Sequence, residues 1–276
     1  MEVIFCELPY NALPNELQSE DNISVNDYSN LPRNFMYKSL FSPAVFDGIE
    51  EPRLLLEYFG NNIGTFVDVG ANFPETSIST PLEHLGWSGI VIEPQPDCAA
   101  ALRLARKCPV IEAACVAKQE EENEVVRLWL AGPQSSLDFS FISPRDRKNE
   151  YVSVPTKTLT SALIENKILS IDLLSLDTEG TEIEVMKGLD WIKFPPKLVI
   201  LEDHGRDFKK HNFMKGLGYI RFRRVGFNSW YAKPEHALSI SLYGNAQIFV
   251  KYVLGLPFRH FRRWRHSIFR APTERV

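Results

Sequence analysis

An α/β fold built on a mainly parallel sheet is what this sequence predicts, and three observations predict it. Short apolar runs recur from Thr65 onward, each ends in a polar or acidic residue, and stretches of helical character lie between most of them. The runs are Phe66-Val67-Asp68, Ile90-Val91-Ile92-Glu93, Val110-Ile111-Glu112, Leu173-Leu174-Ser175-Leu176-Asp177 and Leu198-Val199-Ile200-Leu201-Glu202. Asp97 to Lys107 and Thr181 to Leu189 are the clearest intervening helices. Thr181 with Glu184 is expected to form a capping box for the second of these, and Gly188 to stop it. Upstream, residues 1–60 are broken by Pro9, Pro14, Pro32, Pro43 and Pro52, with one helix expected from Pro52 to Phe59.

Composition sets the outer limits. Of 276 residues, 44% are hydrophobic and 24% charged, which suits a soluble globular chain and excludes global disorder, collagen and coiled coil. No apolar run approaches the roughly 20 residues that span a bilayer. The N-terminal residues carry acids where a signal peptide would carry positive charge, so a cytoplasmic location is expected. Cys6, Cys98, Cys108 and Cys115 show neither a CxxC pair nor a Cys/His ligand spacing, so reduced thiols are expected and a zinc site is not. The modest net charge of −4 hides an asymmetry. Residues 1–203 carry 16 basic against 32 acidic side chains, and residues 204–276 carry 15 against 3. A basic tail on an acidic body points to an anionic partner for the tail.

In a parallel sheet ligands sit beyond the carboxyl ends of the strands, which makes the strand-end acids site candidates. The first strand-to-helix turn, Asp68-Val69-Gly70-Ala71-Asn72-Phe73-Pro74-Glu75, selects among cofactors. A dinucleotide would require GxGxxG and bare amides for its pyrophosphate. Here only Gly70 matches, Pro74 lacks an amide hydrogen, and Glu75 opposes a phosphate. Glu93 stands where an acid would hold ribose hydroxyls. A nucleoside without phosphates fits, and S-adenosylmethionine is the expected one, since its ammonium and sulfonium groups tolerate an acidic surround. Further along, Asp177 and Glu179 lie on the loop after one strand, and Glu202-Asp203-His204 ends the next. A histidine beside strand-end carboxylates is a candidate base.

Several segments carry a family resemblance. Asp68-Val69-Gly70-Ala71-Asn72, Gly86 to Pro94, the Ser135-Ser136 pair, Lys157-Thr158-Leu159 and Ile171 to Gly180 closely resemble the FkbM family of S-adenosylmethionine-dependent methyltransferases. Glu182 to Gly188 and Leu198 to His204 continue the likeness in order and spacing. The resemblance covers about residues 64–235, and it implies a class I methyltransferase (Rossmann-like) fold. That fold is a seven-stranded, mostly parallel sheet, its last strand antiparallel, with helices on both faces. It also implies O-methylation of sugar or polyketide hydroxyls. Phe73-Pro74 departs from the Ile-Gly that many relatives carry at this point.

These readings divide the chain into an N-terminal extension (1–60), an FkbM-like domain (61–235) and a basic amphipathic tail (236–276). Asp68, Gly70, Ala71, Asn72, Glu93, Pro94, Glu112 and Ala113 are expected to bind the cofactor. Asp177 and Glu179 are expected to shape the catalytic edge, with Glu202 or His204 as base. No metal is assigned; the variant considered is Mg²⁺ held by Asp177 with Glu202 or Asp203. A glycan or other hydroxyl-bearing acceptor is expected, and a nucleic acid is not. The rival class is a non-catalytic binding module of the same fold.

In the tail, Phe258, Phe261, Trp264 and Ile268 recur at helical spacing, Arg259, Arg263, His266 and Arg270 fall on the opposite side, and Arg262 and Arg265 flank them. Pro257 suits the first turn of that helix. The stripe alone suits a helix docked on the domain or on a second chain; opposite an arginine face it also suits a helix lying in an anionic membrane interface, and of the two readings for residues 246–276 the inner face of a membrane is placed first.

Overall fold

The structure is a computed structural model and describes residues 47–144, 146–204 and 208–238, together with six separate positions between 249 and 261. The amphipathic tail helix and Cys6 therefore lie outside the described residues, apart from isolated tail positions such as Pro257 and Phe261. Among the described residues no helix is long and apolar enough to cross a membrane.

The chain opens with helix α1 (Asp47–Phe59), then alternates: β1 (Thr65–Val69), α2 (Thr80–His84), β2 (Ser88–Ile92), α3 (Pro96–Ala105), β3 (Val110–Ile111). Three strands follow, β4 (Ala114–Val116), β5 (Val125–Trp129) and β6 (Tyr151–Thr158), and then α4 (Leu159–Glu165). The second half is β7 (Leu173–Leu176), α5 (Glu182–Lys187), β8 (Leu198–Glu202), α6 (Lys209–Gly216), β9 (Ile220–Val225) and β10 (Asn228–Ala232). All five apolar runs read from the sequence are strands. The helix at Pro52 starts earlier than its proline suggested.

Seven strands form one sheet in the order β3-β2-β1-β7-β8-β10-β9. The sheet is mixed: β3, β2, β1, β7 and β8 pair in parallel, and β10 runs antiparallel between β8 and β9. Alternate side chains of each central strand feed two separate cores, because successive residues point to opposite faces. Val67, Ile90, Leu174 and Val199 pack with Leu163 of α4, Met186 of α5 and Met214 of α6. Phe66, Val91, Leu173 and Ile200 pack with Leu55 of α1, Leu82 of α2 and Leu102 of α3. Helices therefore cover both faces, and the central strands are buried on both sides, which explains why they read as continuous apolar runs.

Helix α1 is tied to the far end of the sheet. Its Glu51 accepts hydrogen bonds from Trp230 Nε1 (2.6 Å) and Asn228 Nδ2 (2.7 Å), and Tyr58 stacks on Phe222. The expected capping box on α5 does not form. Thr181 occupies the N-cap position, but its hydroxyl donates to the Thr178 carbonyl and caps nothing. Glu182 supplies the local acceptor instead, taking the Gly180 N–H at 3.0 Å. The predicted stop at Gly188 holds, since it is the C-cap of α5. The second, three-stranded sheet (β4-β6-β5) has its own small core of Ala114, Leu128 and Val154.

Candidate active site

The carboxyl ends of β1, β2 and β7 open onto a cavity of about 540 Å³, within the range of small-molecule sites. Its floor is set by how closely β1 approaches β7. Gly70 has φ +81°, and a Cβ there would lie 1.8 Å from the Asp177 carbonyl oxygen. Only glycine combines that backbone with that approach. The Asp177 N–H in turn donates to the Val69 carbonyl at 3.0 Å, so the ends of β1 and β7 are clasped at the cavity floor.

Glu93, at the end of β2, lines the cavity and is only 6% exposed. Its two oxygens accept the Asn72 N–H (2.7 Å) and the Gln95 N–H (2.8 Å), which pins the β1 turn to the β2 turn. Burial pushes the Glu93 carboxyl above its ordinary value, and those two N–H bonds oppose the shift. A carboxylate has about four acceptor positions, so two bonds leave capacity for ligand hydroxyls.

Asp68 also lines the cavity, but its Oδ2 is held from the other side by the hydroxyls of Ser77 (2.7 Å) and Ser79 (2.8 Å). Arg106 donates to both serines, at 2.9 and 3.0 Å, and pairs with Glu83 at 2.6 Å. Sequence reading missed this network, because nothing local marks serines nine and eleven residues after Asp68 as its partners. Ala71, Asn72, Pro94 and Ala113 line the cavity as expected. Glu112 is not among its lining residues; its carboxylate pairs with Arg103 at 2.7 Å.

On the β7 side Asp177 and Glu179 border the cavity. Burial, then repulsion from Glu202, Glu179, Glu182 and Asp68, holds the Asp177 carboxyl well above the usual carboxylate range. Glu202 and His204 are not among the cavity-lining residues but form a pair of their own, Nε2 to Oε1 at 2.9 Å. The rings of Phe141 and Phe227 flank the imidazole at 5.9 and 4.9 Å. Ligand atoms of Glu179, Glu202 and His204 all lie within 4.8 Å of one another. Asp203, the alternative magnesium ligand, faces elsewhere: its Oδ2 lies 3.9 Å from Arg224 and 4.0 Å from Arg221.

The Ser135-Ser136 pair joins the two sides. Ser135 Oγ donates to Gln95 Oε1 at 2.8 Å, and Ser136 Oγ donates to the Glu179 carbonyl at 2.7 Å.

A family model described as the methyltransferase FkbM domain matches residues 68–227, from the end of β1 to the turn before β10. The chain belongs to the FkbM methyltransferase family. A search of curated proteins finds no match. The matched segment contains the Gly70 turn, Glu93, the two serines and both strand-end acid groups, so the family's domain and the cavity coincide. Glu51 and Asn228, which also line the cavity, lie outside that segment on α1 and β10.

Proposed function

We propose that this FkbM protein is an S-adenosylmethionine-dependent O-methyltransferase acting on a hydroxyl of a glycan, a lipid-linked sugar or a related natural product. The observation that carries the reading is Glu93. It is a buried carboxylate held by two backbone N–H groups beside a glycine turn, at the carboxyl edge of the sheet. Such a group suits a ribose diol, which offers two donors. The absence of a bare run of amides, and the acids Asp68, Asp177 and Glu179 around the cavity, suit a cationic cofactor without phosphates. The sheet order and its antiparallel β10 support the class I methyltransferase reading of the fold.

S-adenosylmethionine, when bound, supplies an electrophilic methyl group on a sulfonium. Glu93 and the Gly70-Ala71-Asn72 turn would hold its nucleoside. The chain must then align an acceptor oxygen about 3 Å from the methyl carbon, in line with the bond that breaks, and exclude water. The acceptor oxygen would take up the methyl group that the bound cofactor supplies, and the chain must provide a base for the hydroxyl proton. Glu202 or His204 is the base expected from the sequence; Asp177 and Glu179 border the cavity whereas that pair does not, and on that placement we assign the proton to one of the two cavity acids, Asp177 or Glu179. The Glu202–His204 pair stands behind this edge.

We further assign residues 1–60, the Gly132 to Ser136 loop and the Phe139 to Tyr151 stretch to acceptor selection, and residues 246–276 to an anionic membrane surface where a lipid-linked acceptor is presented. Incubating the full-length chain with labelled S-adenosylmethionine and candidate glycans tests the activity. Expected is an acceptor that gains about 14 Da per transfer. A chain that binds no S-adenosylmethionine by calorimetry overturns the reading.

A further inference from the structure

We propose that Glu179, Glu202 and His204 form a binding site for a divalent first-row cation, Mn²⁺ or Zn²⁺ in preference to Mg²⁺, that meets the cavity at Glu179. Three residues from two chain segments bring one ligand atom each to within 4.8 Å of the others. Glu179 belongs to the loop after β7, Glu202 ends β8, and His204 follows it. A second observation independent of that clustering concerns Glu202. Its side chain is 7% exposed, yet its Oε2 has no hydrogen-bond partner among the described residues. A buried carboxylate oxygen without a donor is costly, and a cation would satisfy it.

The spacing suits coordination. Ligands 2.1 Å from a common ion at right angles are about 3 Å apart; His204 Nε2 lies 2.9 Å from Glu202 Oε1, and a bidentate Glu202 carboxylate would bring the unpartnered Oε2 to the same ion. Glu179 is half-buried on the loop after β7, borders the cavity, and completes the set from that side. One imidazole nitrogen with two carboxylates is a mixed donor set. Imidazole suits zinc and other later divalent ions, carboxylate suits manganese and magnesium, so the nitrogen is what disfavours Mg²⁺. Phe141 and Phe227 against the ring would hold it in the ligating orientation. Because Glu179 also borders the cavity, a cation here would put positive charge beside that edge and favour ionisation of a hydroxyl bound there.

The role at the acceptor rests on the methyltransferase reading; the cation site itself does not, so the test separates them. Full-length protein stripped with EDTA is titrated with MnCl₂ and followed by the electron paramagnetic resonance signal of free Mn²⁺, with no cofactor or acceptor present. One saturable site per chain is expected, with ZnCl₂ competing and MgCl₂ at least tenfold weaker. His204→Asn and Glu202→Gln should each weaken Mn²⁺ at least tenfold, and Glu184→Gln, an exposed acid on α5, should not. Glu179→Gln, on the half-buried loop, gives the same reading if the Glu202 variant fails to fold. Absence of a saturable site, affinity unmoved by His204→Asn and Glu179→Gln, or Mg²⁺ binding as tightly as Mn²⁺ would each overturn the proposal. Mn²⁺ binding without any methyl transfer would instead count against the activity alone.

Discussion

Replacing Glu93 separates a loop-pinning role from a ligand-binding one, and the structure lets both be sized. The carboxylate accepts two backbone N–H groups at 2.7 and 2.8 Å while only 6% exposed. A hydrogen bond to a charged acceptor contributes roughly 1.5–3 kcal/mol. Burial opposes the charge here, as the raised Glu93 pKa indicates, so the two bonds together fall short of their nominal sum. Glu93→Gln keeps the shape, but one N–H then faces an amide NH₂, leaving a buried donor unmet at a cost of roughly 1–3 kcal/mol. Urea denaturation should show a loss of that size, small enough for the variant to remain folded. If the same carboxylate binds the ribose hydroxyls, losing one acceptor position weakens S-adenosylmethionine by a further 1.5 kcal/mol or so, which is about tenfold in Kd. Calorimetric titration of the folded variant measures that term by itself. A variant destabilised as expected that binds S-adenosylmethionine within twofold of the native chain would show that Glu93 only pins the two turns. The cofactor reasoning would then fail.

Three further outcomes follow from the same geometry. Gly70→Ala should destabilise by about 2–4 kcal/mol in urea, since a left-handed backbone costs an alanine roughly 1–2 kcal/mol and the Cβ would overlap the Asp177 carbonyl. Glu83→Gln should cost about 3 kcal/mol at pH 7, because it leaves Arg106, whose side chain is 0% exposed, without its carboxylate. Burial raises the Glu83 pKa, but the Arg106 hydrogen bond and charge and the Cys108 N–H outweigh it, so the folded value lies below 4.5. The Glu83 contribution is therefore complete above 4.5 and lost as pH falls through the folded value, so native and variant stabilities should converge once the pH lies below that folded value. Full-length protein should float with anionic vesicles at low salt and cease to do so without residues 246–276; equal flotation of both would remove the membrane role of the tail.

Much of the catalytic edge was legible in local sequence because it is built from strand ends. A run such as Leu173 to Asp177 carries its own evidence: a largely apolar strand buried on both faces, then an acid at its carboxyl end, where the cavity opens. The same logic singled out Asp68, Glu93 and Glu202, whereas Gly70 matched only one position of a GxGxxG turn, and its positive φ and close approach to Asp177 came from the structure. What local sequence could not supply was the partner of each acid. Asp68 is met by Ser77, Ser79 and Arg106, Glu112 is drawn away by Arg103, and Asp203 faces Arg221 and Arg224. Glu202 and His204, read as alternative bases, pair with each other and are not among the cavity-lining residues. The Glu51 side chain crosses 177 positions to reach Asn228. Burial of apolar runs is a property of the run, so pattern alone reveals it. Pairing of polar groups depends on which elements the packed sheet brings side by side, and only the tertiary structure decides that.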